Sequence, residues 1–367
     1  MENLVKIATY KRTETACFLK ERLEMENIDS FFILVCSLED KMEHVRVQVK
    51  ADKVESAIRV MMETRDEYGT DIENIEPLLQ KRKILALTDF SKSSEYACQY
   101  AINLARKLNA EVKLLHVFEN PIADLKLQSS ETYGKYLFDI AKEEEKRASD
   151  GMIKFSGKIK TYLKRNKIDD VMYHPVIAMG HIIRTIKNVC KAYQPDVMVL
   201  GTVGYQEEAK SVFTGAVKEL VNELDIPVFA IPGPCRLTAF ENMKILYATD
   251  FNENDHSSLN RLLKIMEDIK KQITCIHIDT AHNPAKEERI DELNVFLKHM
   301  YSNIEIRCVL LDYVNVYQGI KDYADSNEMN LLSFTIEKRS IFDMLFMPNL
   351  FKKILQEAGM PILIFPS

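Results

Sequence analysis

Lys83-Ile84-Leu85-Ala86-Leu87-Thr88-Asp89-Phe90 recurs 161 residues further on as Lys244-Ile245-Leu246-Tyr247-Ala248-Thr249-Asp250-Phe251. Both stretches are short apolar runs closing on a Thr-Asp pair, the pattern of a buried strand whose carboxyl end opens into a loop. The likeness spreads outward from there. Leu115-His116-Val117 answers to Ile276-His277-Ile278 at the same offset, and Ile226-Pro227-Val228-Phe229-Ala230-Ile231-Pro232 answers to Met360-Pro361-Ile362-Leu363-Ile364-Phe365-Pro366 at an offset of 134. The second copy is therefore 27 residues shorter between its first and last strands, and most of the loss falls around the long charged helix near 141–164.

Within the first copy, strands are expected near 83–89, 112–118, 171–178, 197–203 and 227–231, with helices near 92–108, 131–165, 181–193 and 214–224. The second copy repeats the strands near 244–250, 273–279, 304–311, 330–335 and 361–365. Strands separated by amphipathic helices call for right-handed crossovers and a parallel sheet covered on both faces. The fold class is α/β.

The first 70 residues read differently. Leu4 to Tyr10 is a strand, Thr13 caps a helix with Ala16, Leu19 and Leu23 on one face, and Ser30 to Val35 is a second strand. Val45, Val47 and Val49 alternate with Arg46 and Gln48, so the third strand has one buried face. A helix from Asp52 to Tyr68 ends at Gly69. The order βαββα makes a small α+β domain at 1–70, followed by a polar linker at 71–81 and the two copies at 82–233 and 242–367. A polar linker and a one-faced third strand predict that the small domain folds by itself.

Composition narrows the function. Of 367 residues, 46% are hydrophobic and 28% charged, and the net charge of −6 gives no electrostatic footing for nucleic acid or an anionic membrane. No run approaches the length of a membrane span, and Met1-Glu2-Asn3-Leu4 does not read as a signal peptide. The seven cysteines are scattered and never spaced as CxxC, which points to reduced thiols in a cytoplasm and to neither disulfides nor zinc. GxGxxG after a first strand, GxxxxGK(S/T), HExxH and GxSxG are all missing from the sequence. The chain therefore reads as a non-enzyme, with slow hydrolysis of a bound ligand the chief reaction left open.

A strand ending in Thr88-Asp89-Phe90, a second carrying Leu115-His116-Val117, and the late run Asp196-Val197-Met198-Val199-Leu200-Gly201-Thr202-Val203-Gly204 together resemble the universal stress protein superfamily. The resemblance covers 82–233 and, less fully, 242–367. It implies two consecutive modules with five-stranded parallel sheets in the order 3-2-1-4-5, paired through their last strands. Apolar edge strands need covering, so the modules are expected to form an internal pseudo-dimer. The N-terminal unit resembles a small family of bacterial signal-transducing domains, compatible with a ferredoxin- or ACT-like sandwich.

Many members of the superfamily bind ATP. In such a sheet the ligand lies beyond the carboxyl ends of the strands where strand order reverses. The resemblance then assigns Asp89 and Val117 to the adenosine, and Gly201, Gly204, Thr214, Gly215 and Ala216 to a phosphate loop of the form G-x2-G-x9-G-(Ser/Thr). Glycines let backbone amides approach phosphate oxygens, and the following helix presents its positive end. The loop departs from that pattern. Gly215 follows ten intervening residues, Ala216 stands where a hydroxyl is expected, Thr214 offers a substitute, and Glu207 and Glu208 lie between the glycines with Lys210. The second copy keeps Asp250 but has no glycine from Ser333 to Asn349, where Phe342, Met344, Leu345 and Phe346 fill the span. ATP or a related adenine nucleotide is thus expected in the first module and none in the second.

Blander readings stand beside these. Asp89 and Asp250 also suit helix caps, Gly201 and Gly204 suit a plain turn, and His116 and His277 suit satisfied core histidines. At the level of the whole chain the choice lies between a stress-response or signalling protein acting through an unknown protein partner and a ligand-free interaction protein.

Overall fold

The computed structural model describes residues 4–10, 13–36, 43–68, 81–119, 131–202, 212–233, 240–250, 253–280, most of 290–301, 303–336, 353–355 and 357–366. These residues cluster in two compact units: 1–90 with 111–194, and 91–110 with 195–367.

The first unit holds strands β1 (Leu4–Tyr10), β2 (Ser30–Cys36), β3 (Glu43–Lys50), β4 (Arg82–Leu87), β5 (Ala110–Phe118) and β6 (Tyr173–Met179). Its sheet runs in the order β1-β3-β2-β6-β5-β4. The chain first makes an antiparallel set, with β3 between β1 and β2. Val45, Val47 and Val49 are buried while Arg46 and Gln48 are half-exposed, as period-two alternation demands. Then comes a junction that the sequence does not announce. β2 lies parallel to β6, with Phe32 opposite Val176 and Leu34 opposite Ala178, so the N-terminal strands extend the sheet instead of closing on themselves.

Helix α1 (Thr13–Met25) crosses from β1 to β2, and α2 (Val54–Tyr68) follows β3. The long helix α4 (Glu131–Asn166) buries Ala148, Met152, Phe155 and Ile159, spaced at three to four residues along one stripe. Ala148 and Met152 share a core with Phe31 and Ile33 of β2, Phe118 of β5 and Ile177 of β6. One helix thus packs on strands from both sides of the β2–β6 junction. Helix α5 (Ile182–Tyr193) begins after Gly180 and ends on Gln194, which adopts the left-handed conformation at φ 50° and returns its amide to Cys190 O.

The second unit contains α3 (Lys92–Leu108), β7 (Val197–Thr202), α6 (Val212–Glu223), β8 (Val228–Pro232), β9 (Met243–Ala248), α7 (Glu253–Ile265), β10 (Lys271–Asp279), β11 (Glu305–Asp312), α8 (Val316–Ser326), β12 (Leu331–Ile336) and β13 (Ile362–Pro366). Its strands lie in the order β7-β8-β13-β12-β9-β10-β11. Every neighbouring pair is parallel except β8 with β13, which meet antiparallel with Leu363 opposite Phe229. Val228, Phe229, Ala230, Ile362, Leu363 and Ile364 are all fully buried there, so neither apolar strand presents an edge to water. Ser91 caps α3, its Oγ accepting from the Ser94 amide at 3.2 Å, and Arg106 and Lys107 sit in the last turn where the helix dipole favours cations.

Candidate functional site

In the first unit, the carboxyl end of β4 is held tightly to its neighbour β5. Thr88 is fully buried; its amide donates to Leu115 O at 2.8 Å and its carbonyl accepts from His116 Nδ1 at 2.8 Å. That carbonyl places the proton of the imidazole on Nδ1. Burial pushes the His116 pKa down, against the Thr88 hydrogen bond and the Asp89 charge, which raise it. The imidazole is thereby tied into the pairing of β4 with β5. Phe90 then turns the chain at φ 64°, an unusual conformation for a bulky residue. Its ring compensates by stacking on His116 at 4.0 Å between centroids and tilting against Phe155 at 5.8 Å. It also occupies the space over Gly151, where a Cβ would lie 2.5 Å from the ring. Asp89, half-buried, is thereby fixed between a buried threonine and a clamped phenylalanine, and Val117 is buried on the adjoining strand. The structure gives the cap of α3 to Ser91, so Asp89 is not occupied as a helix cap.

In the second unit, Gly201 and Thr202 end β7. A Cβ on Gly201 would lie 2.5 Å from Ser93 C and O and 2.8 Å from Ser94 N, all backbone atoms of the first turn of α3. Close packing on that helix accounts for this glycine whether or not a ligand is bound. Thr202 is fully buried, and its Oγ1 finds no hydrogen-bond partner among the described residues. Such an orphaned hydroxyl needs an occasion to be met. Thr214 and Gly215 lie in the first turn of α6, Ala216 follows half-buried, and that turn carries no acidic residue. A free hydroxyl at the end of β7 and a helix start without carboxylates both suit an anionic group. Gly204 and the Glu207, Glu208 and Lys210 positions lie outside the described residues, as do Phe342, Met344, Leu345 and Phe346.

A buried side-chain network stands at the ends of β9 and β12 in the second unit. Tyr247 is buried, with its hydroxyl 2.8 Å from Thr335 Oγ1 and 3.4 Å from Asp255 Oδ1. Asp255 Oδ2 accepts from Thr249 Oγ1 at 2.6 Å and from the Asp250 amide at 3.1 Å. Burial, reinforced by the Asp255 charge, drives the Tyr247 pKa far up, so the phenol keeps its proton and remains a donor. By the offsets of 161 and 134, Tyr247 and Thr335 stand where the first copy has Ala86 and Gly201, and Asp255 stands where it has Ser94. The Asp250 carboxylate itself is 87% exposed, 3.4 Å from His277 Nδ1, which also meets Thr249 O at 2.9 Å.

The sequence reading singled out Asp89, Val117 and Gly201 and passed over Thr202, Tyr247 and Asp255. Thr202 was legible as the residue after the first glycine of the loop. The Tyr247 network was not, because its members are 8 and 88 residues apart. Among the described residues no group of His, Cys, Asp or Glu could hold a metal ion, and no helix is long and apolar enough to cross a membrane.

A strand end closing on Thr-Asp, a Gly-Thr strand end with a buried free hydroxyl, and an acid-free helix start all fall within one stretch of chain. That stretch matches the model of the Universal stress protein family, over residues 81–232. Residues 81–232 form a universal stress protein family domain. A search of curated proteins finds no match to the chain. Among solved structures, a universal stress protein from Archaeoglobus fulgidus DSM 4304 superposes with a TM-score of 0.53 at 13% identity, covering 78% of this chain and 99% of that one. A protein assigned to the universal stress proteins from Pseudomonas aeruginosa UCBPP-PA14 gives 0.49 at 12% identity, covering 78% and 94%. At such identities the likeness is one of fold.

Proposed function

We propose that residues 81–232 bind ATP or a related adenine nucleotide, that the second copy binds none, and that the bound nucleotide biases contact with a protein partner without being consumed. The chain then acts as a stress-response or signalling protein. The observation that carries this reading is the asymmetry between the copies at the strand ends. The first has Thr202, whose buried hydroxyl meets no partner among the described residues, whereas the second has a buried Tyr247–Thr335–Asp255 network that satisfies itself. In this reading Asp89 and Val117 meet the adenosine, and Gly204, Thr214, Gly215 and Ala216 meet the phosphates with Thr202. Gly201 contributes by letting α3 approach. The antiparallel pairing of β8 with β13 supports treating the two copies as an internal pseudo-dimer.

Calorimetric titration of the full chain tests the assignment. A Gly204→Val change blocks close backbone approach and should weaken ATP binding about tenfold, a loss of about 1.4 kcal/mol. Asp250→Ala should leave the affinity unchanged. If millimolar ATP produces neither binding heat nor a shift in melting temperature, the ten-residue spacing and Ala216 have abolished the site. The ligand-free interaction reading then replaces this one.

A further inference from the structure

A cleft of about 210 Å³ lies in the first unit between α1, the start of β2, α4 and β6. It arises from the junction described above. Where β2 joins β6, α4 packs on the Phe31 and Ile33 face of the strands, while Lys20 of α1 lies over Phe32 and reaches Tyr173 O. Its α4 wall is Ile153, Ser156, Gly157 and Lys160, spaced at three and four residues and so on one face of the helix. A Cβ placed on Gly157 would meet nothing within 4 Å, so the glycine borders open space.

The chemistry of the walls is specific. Three ammonium groups, on Lys20, Lys50 and Lys160, face two carboxylates, on Glu24 and Asp29. Lys20 is the deepest of them, its side chain only 2% exposed. It donates to Tyr173 O and lies over the rings of Tyr173 and Phe32 at 5.3 and 5.9 Å. Burial pushes its pKa down, opposed chiefly by Glu24, which sits 3.4 Å away with its side chain 46% exposed. Asp29, ion-paired with Lys160, is 44% exposed. The carboxylates therefore lie toward water and the buried cation lies inside.

Two hydroxyls complete the inner end. Ser30 and Ser156 are each 3% exposed, and neither Oγ has a hydrogen-bond partner among the described residues. A buried hydroxyl left unmet costs free energy, and two of them line the same cleft as the Lys20 ammonium, which already meets Tyr173 O and Glu24. Phe31 and Pro175 add an apolar flank. An apolar flank with a few convergent polar groups is the make-up of a small-molecule site.

The geometry points to a binding site in this cleft for a small organic anion, one with a compact apolar body and a terminal phosphate or carboxylate. The anionic end sits against Lys20 and the hydroxyls of Ser30 and Ser156, and the body lies along Phe31 and Pro175. Because its walls come from both the N-terminal strands and α4, occupancy tightens the β2–β6 junction. This site is separate from the nucleotide assignment and does not depend on it.

Phenyl phosphate and phenylacetate share one apolar body and differ in the anionic group, so titrating each into the full chain by calorimetry decides between the two chemistries. Benzyl alcohol serves as the uncharged control. At least one anion is expected to bind at millimolar concentration or below, and the alcohol is not. Ser156→Ala should weaken that binding about fivefold while leaving the melting temperature of the free protein unchanged or raised, since it removes an unmet buried hydroxyl. Gly157→Leu places a better helix former at an open position and should abolish binding without loss of the fold. The proposal is overturned if neither anion binds, if the alcohol binds as well as the anions, or if binding survives Gly157→Leu.

Discussion

Valine at position 201 should strongly destabilise the second unit, lowering the denaturant midpoint of the whole chain. Gly201→Ala should already cost about 1–3 kcal/mol, and Gly201→Val more, because overpacking forces backbone to move. The atoms that a Cβ would strike are the Ser93 carbonyl group and the Ser94 amide nitrogen, at 2.5 to 2.8 Å. Both belong to the first turn of α3, which Ser91 fixes by its cap, so they cannot rotate aside as a side chain would. The sign of the effect is informative. Glycine inside a strand ordinarily weakens it, and alanine at a roomy site would stabilise by a few tenths of a kcal/mol or more. A midpoint equal to or above that of the parent protein would mean that α3 does not press on β7. The glycine would then be explained by the loop it begins.

Asp255→Ala should cost about 2–4 kcal/mol, and it should do so without any effect on ATP affinity. The carboxylate is the acceptor for Thr249 Oγ1 and the Asp250 amide and lies within reach of the Tyr247 hydroxyl. Removing it strips several donors of their acceptor in a buried setting, where each lost acceptor costs of order 1–3 kcal/mol. Tyr247→Phe should be milder, about 1 kcal/mol, because it removes one hydroxyl and leaves the carboxylate bonded to the other donors. The two changes act on one network, so the double variant should lose less than the sum of the singles. Urea unfolding followed by circular dichroism measures all three. Equal and additive losses would show that Tyr247 and Asp255 act independently, and the picture of a self-satisfied plug in the second copy would fail.

Much of the fold was legible because the repeat and the hydrophobic periods speak together. The helix expected at 92–108 is found as Lys92–Leu108, and the strand expected at 197–203 as Val197–Thr202. Short apolar runs between amphipathic stretches left little choice of element. Partners were harder to read. Phe31 to Val35 has the composition of a strand buried on both faces, yet nothing in its period says that Phe32 will lie against Val176 on another part of the chain. The N-terminal unit was accordingly read as a sandwich of its own, whereas its strands extend a larger sheet.

The same limit applies to the candidate site. Asp89 and Val117 could be named because a motif places them, but Gly201 satisfied two readings equally until the neighbouring helix was seen. Tyr247 replaces Ala86 within the repeated strand, beside Ala248 in place of Leu87. Its meaning depends on Thr335 and Asp255, which share no periodicity with it. The cleft lined by Lys20, Ser30, Ser156 and Tyr173 draws on two pairs of elements more than a hundred residues apart and has no signature along the chain.

The central claim is that the two copies divide their roles, one holding an adenine nucleotide and the other sealed. Calorimetric titration of the full chain with ATP, read for stoichiometry, tests it most directly. One nucleotide per chain, with the same stoichiometry after Asp250→Ala and weakened binding after Gly204→Val, is the predicted result. Two equivalents per chain would contradict the sealed second copy, and none would contradict the site in residues 81–232.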